Sequence, residues 1–418
     1  MTDILAQVIA ESRAGRAVAI PSVCSAHPEV LAASLRLAER LDRAVVIEAT
    51  SNQVNQEGGY TGMRPEGFIG FVRGIAGGLG VDRDRVLFGG DHLGPQAWRK
   101  LPAAEAMARA HVMVADYVAA GFTKVHLDCS EGCAGEPAQL ADDVTVPRAA
   151  ELARTAVRQG TAPLFVVGTE VPPPGGARHD EGGDIPATRA EAARVTLDAH
   201  MAAFAGIGRI GGLVVQPGVE FSPMQVHHLP LGRDPGLAQA IAHHPGVVLE
   251  AHSTDYQHPA AFVRLAELGF AFQKVGPALT FAWRQAVYAL DTLAEMAGWG
   301  DAIVRPAMER LMLADPRYWQ GHYHGGDMAL QRHFGLADRI RYYWPRAEAQ
   351  AAVAALRERL AGRELPLPLL WQGFAPEVLD RAEAVGGDRV TALCHAQVEA
   401  ALAPYFFGPK GRSGKVGT

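Results

Sequence analysis

The sequence predicts an α/β protein, a (β/α)8 TIM barrel followed by a C-terminal helical extension, on three observations. Eight short apolar runs recur between residues 17 and 277, segments of helical periodicity separate them, and nearly every run ends in polar residues. Each run is almost continuously apolar, as a parallel strand buried on both faces requires. Strands that alternate with crossover helices are parallel βα units, and a count of eight favours a closed barrel over an open doubly wound sheet.

The chain begins with "MTDILAQVIAESRAG", an amphipathic helix carrying acids rather than the basic start and apolar run of a signal peptide. The strands then read "AVAIPSVC" (17–24), "AVVIEAT" (44–50), "RVLFGGD" (85–91), "KVHLDCS" (124–130), "LFVVGTE" (164–170), "GLVVQPG" (212–218), "VVLEAHS" (247–253) and "AFQKVGP" (271–277). Between them, segments such as "HPEVLAASLRLAERL" and "EAMARAHVMVADYVAAG" space apolar residues by three and four, so each strand is expected to be followed by a crossover helix. In "PATRAEA" Thr188 and Glu191 have the spacing of a capping box for the helix after strand five. The barrel is assigned to residues 1–300. Residues 301–410 are helical, aromatic-rich and broken by Pro and Gly, an extension that needs the barrel surface to bury its rings. The Gly-rich basic tail 411–418 is expected to be disordered.

Composition narrows the function. The 418 residues carry a net charge of −6 and are 48% hydrophobic. No basic footprint for nucleic acid and no polybasic membrane signal is present, and no apolar stretch approaches the roughly 20 residues that span a bilayer. Four dispersed cysteines, Cys24, Cys129, Cys133 and Cys394, suit reduced thiols, and a cytoplasmic location is expected. No GxxxxGK[ST] loop supports a kinase.

The strand ends carry the chemistry: Ser25 with His27, Glu48, Asp91 with His92, Asp128, Glu170, Gln216, His252 with Asp255, and Lys274. In a barrel these ends converge on one pocket. Glu, Gln and Lys are not turn residues, so turn formation alone does not account for the set. His92, Glu170 and His252, from strands three, five and seven, offer two imidazoles and a carboxylate to a divalent ion, Zn²⁺ first, with Mn, Ni or Co as alternatives. Asp91 precedes His92, so on a regular strand the two would face opposite ways; the double glycine before them permits the backbone to turn. Asp91 is then the candidate acid/base, with Glu48 and Lys274 as further catalytic candidates. Lys274 suits either charge neutralisation or a Schiff base. Asn52 and Gln53, in the loop "ATSNQVNQEGGYTGMRPEGF", are amides suited to a polyol, and Asp128, Gln216, Asp255 and Tyr256 complete the candidate substrate-binding set. The loop "VPPPGGARHDEGGDIPATRAEA" after strand five has the composition of a lid.

"IPSVCSAHP", "IEATSNQVNQEGGYTGM", "GGDHLGP", "HLDCS", "GTEVPPPGG", "VVQPGVEF" and "EAHSTDYQ" together resemble the tagatose-bisphosphate aldolase Z-subunit family, GatZ/KbaZ. The resemblance implies a barrel related to the metal-dependent class II ketose-bisphosphate aldolases, with Asp91 and His92 matching their Asp-His pair, His252 a later zinc ligand and Glu170 a third metal contact. The sequence departs from those aldolases where their glycine-rich phosphate turn follows strand seven. "HSTDYQ" stands there, and Asp255 puts a negative charge where a phosphate would sit.

Two functions follow. One is an enzyme acting on a ketose or ketose phosphate, by C4 epimerisation of the fructose/tagatose type or by aldol cleavage. The other is a non-catalytic subunit that stabilises a separate class II aldolase catalytic subunit. Neither involves nucleic acid or a membrane, and a homo-oligomer is expected.

Overall fold

The computed structural model describes residues 3–169 and 185–408. Eight parallel strands close into a barrel: β1 (Ile20–Cys24), β2 (Val45–Thr50), β3 (Val86–Leu93), β4 (Lys124–Leu127), β5 (Leu164–Gly168), β6 (Ile210–Val214), β7 (Val248–Ala251) and β8 (Phe270–Val275). Each pairs with its neighbours in sequence, and β1 pairs with β8 to close the ring. The predicted TIM barrel is therefore the observed one.

The helices around it are α1 (Ile4–Arg13), α2 (Pro28–Arg40), α3 (Pro65–Gly78), α4 (Ala103–Ala120), α5 (Asp142–Val157), α6 (Ala190–Ala203), α7 (Pro259–Glu267) and α8 (Pro277–Met296). Four of them begin with proline, whose fixed φ and missing N–H suit the first helical position. The expectation of a crossover helix after every strand fails between β6 and β7. That connection holds a two-residue hairpin (Glu220–Phe221 with Val226–His227) and a 3-10 turn at Leu237–Ile241. The reason is Pro217, Pro223, Pro230 and Pro235, spaced too closely for a helix to run between them. The capping box at Thr188 does not form either. Arg189 is the N-cap of α6, and the Thr188 hydroxyl accepts from the Gln216 N–H (2.9 Å) instead.

Inside the barrel, side chains alternate with strand period two and stack in layers. The lowest is apolar, with Ile20, Val46, Leu164, Val166, Val248 and Phe272, and is plugged by Leu5 and Ile9 of α1. Above it Lys124 lies between Glu48 (2.8 Å) and Glu250 (2.7 Å), all three buried. The polar residues at the C-terminal strand ends form the top.

The described residues after α8 hold six further helices: α9 (Val304–Ala314), α10 (Met328–Phe334), α11 (Ala347–Leu360), α12 (Leu367–Leu370), α13 (Pro376–Val385) and α14 (Arg389–Leu402). Helix α14 packs against α2 and α8, burying Leu393, Val398 and Leu402, each worth about 1.5–3 kcal/mol relative to exposure. Glu29 of α2 receives Arg357 (2.9 Å) and His395 (3.3 Å) from this region. The segment between α10 and α11 crosses the C-terminal rim. Tyr256 donates to the Leu336 carbonyl (2.7 Å), Thr280 to Asp338 (2.5 Å), and the Tyr60 ring meets Tyr342 edge-on at 4.7 Å. Glu170, most of the lid-like loop and the tail 411–418 lie outside the described residues. No described helix is long and apolar enough to cross a membrane.

Candidate active site

Asp91 follows Leu87 and Gly89 on the inner face of β3, so strand alternation alone turns its carboxylate into the barrel. His92 should then face outward. It joins Asp91 because its own backbone is left-handed (φ 47°), where the pairing of β3 with β4 shifts register between Gly90 and Leu93. The glycines before it do not make this turn. A Cβ on Gly89 would meet the Glu48 side chain at 2.8 Å, and one on Gly90 would meet Leu93 and Tyr117 at 2.7 and 2.8 Å. They are small so that neighbours fit, and the conformational strain sits on His92. Ser253 (φ 51°) and Tyr256 (φ 63°) in the loop after β7 are also left-handed, and such non-glycine strain concentrates at functional sites.

The site gathers Asp91, His92, His126 and His252, all buried, whose potential ligand atoms lie within 4.8 Å of one another. His126, on β4, was not among the sequence candidates. Its signal was present: Lys124, His126 and Asp128 alternate on one strand face, as do Glu250 and His252 on β7.

Each imidazole has one nitrogen engaged by an oxygen outside the cluster. His92 Nδ1 lies 2.9 Å from Asp128 Oδ2, His126 Nε2 lies 2.9 Å from the Gly168 carbonyl, and His252 Nε2 lies 3.0 Å from Glu250 Oε1. A ring N–H donated in this way fixes the tautomer of His92 and His252 and aims the opposite nitrogen as a lone pair. His126 differs, because its Nδ1 lies 3.2 Å from Asp91 Oδ1, so both of its ring nitrogens face oxygens. His92 Nε2 is buried and makes no hydrogen bond among the described residues. A site of three oriented imidazoles and a carboxylate suits Zn²⁺ or a similar divalent ion.

The electrostatics divide the three imidazoles. Burial pushes His252 down to about 3 and also lowers His92, which favours the neutral, metal-binding form of both, whereas at His126 the hydrogen bond and charge of Asp91 outweigh burial and raise it. Burial opposes the charge on Asp91, but His92, Lys274 and the hydrogen bond from His126 outweigh it and hold the carboxyl well below its usual range. Burial likewise opposes the charge on Lys274, yet its ion pair with Asp91 raises it. A Schiff-base lysine needs a depressed pKa, so Lys274 is not placed for that role.

The other candidates have distinct surroundings. Glu48 lies one layer below, on Lys124, and not against the imidazoles. Asp128 holds His92 and also accepts from the Ser130 N–H (2.9 Å). Asn52 is exposed, whereas Gln53 is buried, accepts from the Thr50 N–H (2.8 Å) and lies 3.6 Å from Cys24 Sγ. Gln216 shapes its loop by accepting from the Gly218 and Val219 N–H groups, and its buried Nε2 has no partner among the described residues. Asp255 accepts from the Gly276 (3.0 Å) and Ala278 (2.8 Å) N–H groups, so it caps the start of α8. Tyr256 is committed to the Leu336 carbonyl.

Comparison with known proteins adds to this geometry. A family described as D-tagatose-1,6-bisphosphate aldolase subunit GatZ/KbaZ-like matches residues 5–410. A protein of Agrobacterium fabrum (strain C58 / ATCC 33970) named D-tagatose 6-phosphate 4-epimerase is 48% identical, over 97% of this chain and 98% of its own. The crystal structure of a probable tagatose 6 phosphate kinase from Sinorhizobium meliloti 1021 superposes with a TM-score of 0.84 at 44% identity, covering 93% of this chain and 99% of that one.

Proposed function

The chain belongs to the D-tagatose-1,6-bisphosphate aldolase subunit GatZ/KbaZ-like family, and we propose that it is a divalent-metal-dependent ketose-phosphate 4-epimerase acting on tagatose 6-phosphate and fructose 6-phosphate. The observation that carries the reading is the cluster of Asp91 with three imidazoles, each held on its far side by an oxygen acceptor, beside Lys274.

His92, His126 and His252 would hold the metal, which when bound supplies an electrophile for the ketose oxygens. Asp91, ionised, accepts the proton of the C4 hydroxyl. The C3–C4 bond then breaks, its electron pair passing into the adjacent C2 carbonyl, and C4 becomes an aldehyde. The ammonium of Lys274 faces the negative charge that develops, inside a site dry enough to strengthen that attraction. Rotation of the aldehyde exposes its other face, the bond re-forms with C4 inverted, and Asp91 returns the proton. No atom or electron is gained or lost overall.

A barrel that only supported another subunit would not need this set. The named relative is an epimerase and the buried cluster is intact, so the non-catalytic reading is not favoured. The test is the isolated protein with tagatose 6-phosphate, with and without EDTA. Chelator-sensitive formation of fructose 6-phosphate is expected; a metal-replete protein that interconverts neither sugar would overturn the reading.

A further inference from the structure

A barrel enzyme commonly seats a phosphate at the helix N-terminus after its last strands. Here that place is filled from within, because the Asp255 carboxylate takes the Gly276 and Ala278 N–H groups that open α8. Lys274 is no substitute, being committed to Asp91. A phosphate on C6, two carbons beyond the reacting C4, must find its cations elsewhere.

The C-terminal extension brings two. Arg339 and Arg341 lie on the short turn Arg339–Tyr343 over the barrel mouth. Both guanidinium carbons sit 4.6 Å from the centre of the Tyr342 ring, and both groups reach its hydroxyl, Arg339 Nη1 at 3.4 Å and Arg341 Nη2 at 3.1 Å. Arg341 also holds the Ala337 and Asp338 carbonyls, and Arg339 the Tyr318 carbonyl (2.5 Å) and His322 (3.1 Å). Among the described residues neither makes an ion pair. The carboxylate of Asp338, the nearest candidate in sequence, is turned to Thr280 and Arg284. Two like charges gathered on one half-buried ring, without a counter-ion, repel unless an anion joins them.

The turn is continuous with the reacting centre. Tyr342 meets Tyr60, the Tyr60 N–H donates to the carbonyl of Asn52 (3.0 Å), the residue before Gln53, Gln53 Oε1 lies 3.6 Å from Cys24 Sγ, and Cys24 Sγ lies 3.9 Å from Asp91 Oδ2. The positive charge of Arg341 is felt at Cys24 and Asp255 as well, which places it within electrostatic reach of the pocket.

We propose that Arg339 and Arg341, anchored on Tyr342, form the subsite for the phosphate of a phosphorylated ketose, resting on the reading of the site as one for ketose phosphates. Planar guanidiniums that already fork onto a hydroxyl suit phosphate oxygens in the same way. The subsite, and with it the preference for a phosphorylated over a free sugar, is a property of the extension and not of the barrel.

The test uses Arg339→Gln, Arg341→Gln and the double variant, each checked for fold by circular dichroism. With tagatose 6-phosphate, each single variant is expected to raise KM on the order of 10- to 100-fold with kcat little changed. Turnover of unphosphorylated tagatose should stay within about twofold of the parent, since no phosphate is bound there. A folded double variant with the parent's KM for tagatose 6-phosphate overturns the subsite. If the parent turns over neither sugar, the proposed function fails, and calorimetric binding of inorganic phosphate then decides the subsite separately. Binding lost in the double variant supports it; no binding to the parent, or equal binding to both, overturns it. Should the variants not fold, hydrogen exchange of the parent decides: protection of 339–343 by saturating inorganic phosphate is expected, and its absence overturns the proposal.

Discussion

His92 Nδ1 lies 2.9 Å from Asp128 Oδ2, both buried, and this contact aims the opposite edge of the imidazole at Asp91 and the other two histidines. The carboxylate does not itself join the cluster of ligand atoms. It orients a group that does.

Asp128→Asn keeps the shape of that contact but no longer favours the same tautomer. Metal affinity is expected to fall on the order of 10- to 100-fold, the usual effect of losing such a partner. Competition with a chelator measures it, and unchanged affinity would show that Asp128 serves the substrate instead.

His126 and Glu170 are the alternative third ligands of the proposed metal site. His126→Ala is expected to leave the purified protein with well under one metal ion per chain, read by elemental analysis. Full metal content in that variant together with loss in Glu170→Ala would restore the ligand set expected from sequence.

Lys274→Met strips Asp91 of its ion pair and leaves a buried carboxylate supported only by the neighbouring imidazoles. Breaking such a pair costs about 3–5 kcal/mol, so the metal-free variant should unfold at markedly lower urea concentration. The catalytic role predicts in addition a fall in kcat even where metal restores the fold.

Glu29 joins α2 to the extension. Burial opposes its charge, but the His395 hydrogen bond and Arg357 outweigh this and bring its pKa from 4.5 to about 2. A depressed carboxyl stabilises the folded state above its unfolded pKa, and that contribution disappears as pH falls from about 4.5 through about 2. Glu29→Gln should remove on the order of 2 kcal/mol at neutral pH and flatten this part of the acid-unfolding curve. Parallel curves for parent and variant between pH 5 and pH 2 would contradict it.

Much of the site was written in one dimension. Period-two alternation carries Asp91 inward from Leu87 and Gly89, and the same rule applied to Lys124, His126 and Asp128 places all three on one inner face. His126 is legible there only from the alternation of the whole face, because it lies within β4 rather than at the strand's end. His92 was the reverse case. Alternation sends it outward, and only a left-handed backbone at that residue brings it back, a local strain that neighbouring contacts must hold.

Sequence by itself determined the eight strands, their parallel order and the rim on which the polar residues converge, because burial on both faces imposes a pattern each strand shows alone. The prolines after β6 are equally plain in the sequence as breakers of a helix. Tertiary structure decided which polar groups meet. Asp255 faces the start of α8, Glu48 sinks to Lys124, and Arg339 and Arg341 reach across from a region over 200 residues beyond Asp91. Such contacts depend on where two distant segments pack, and neither periodicity nor propensity in either segment encodes the distance between them.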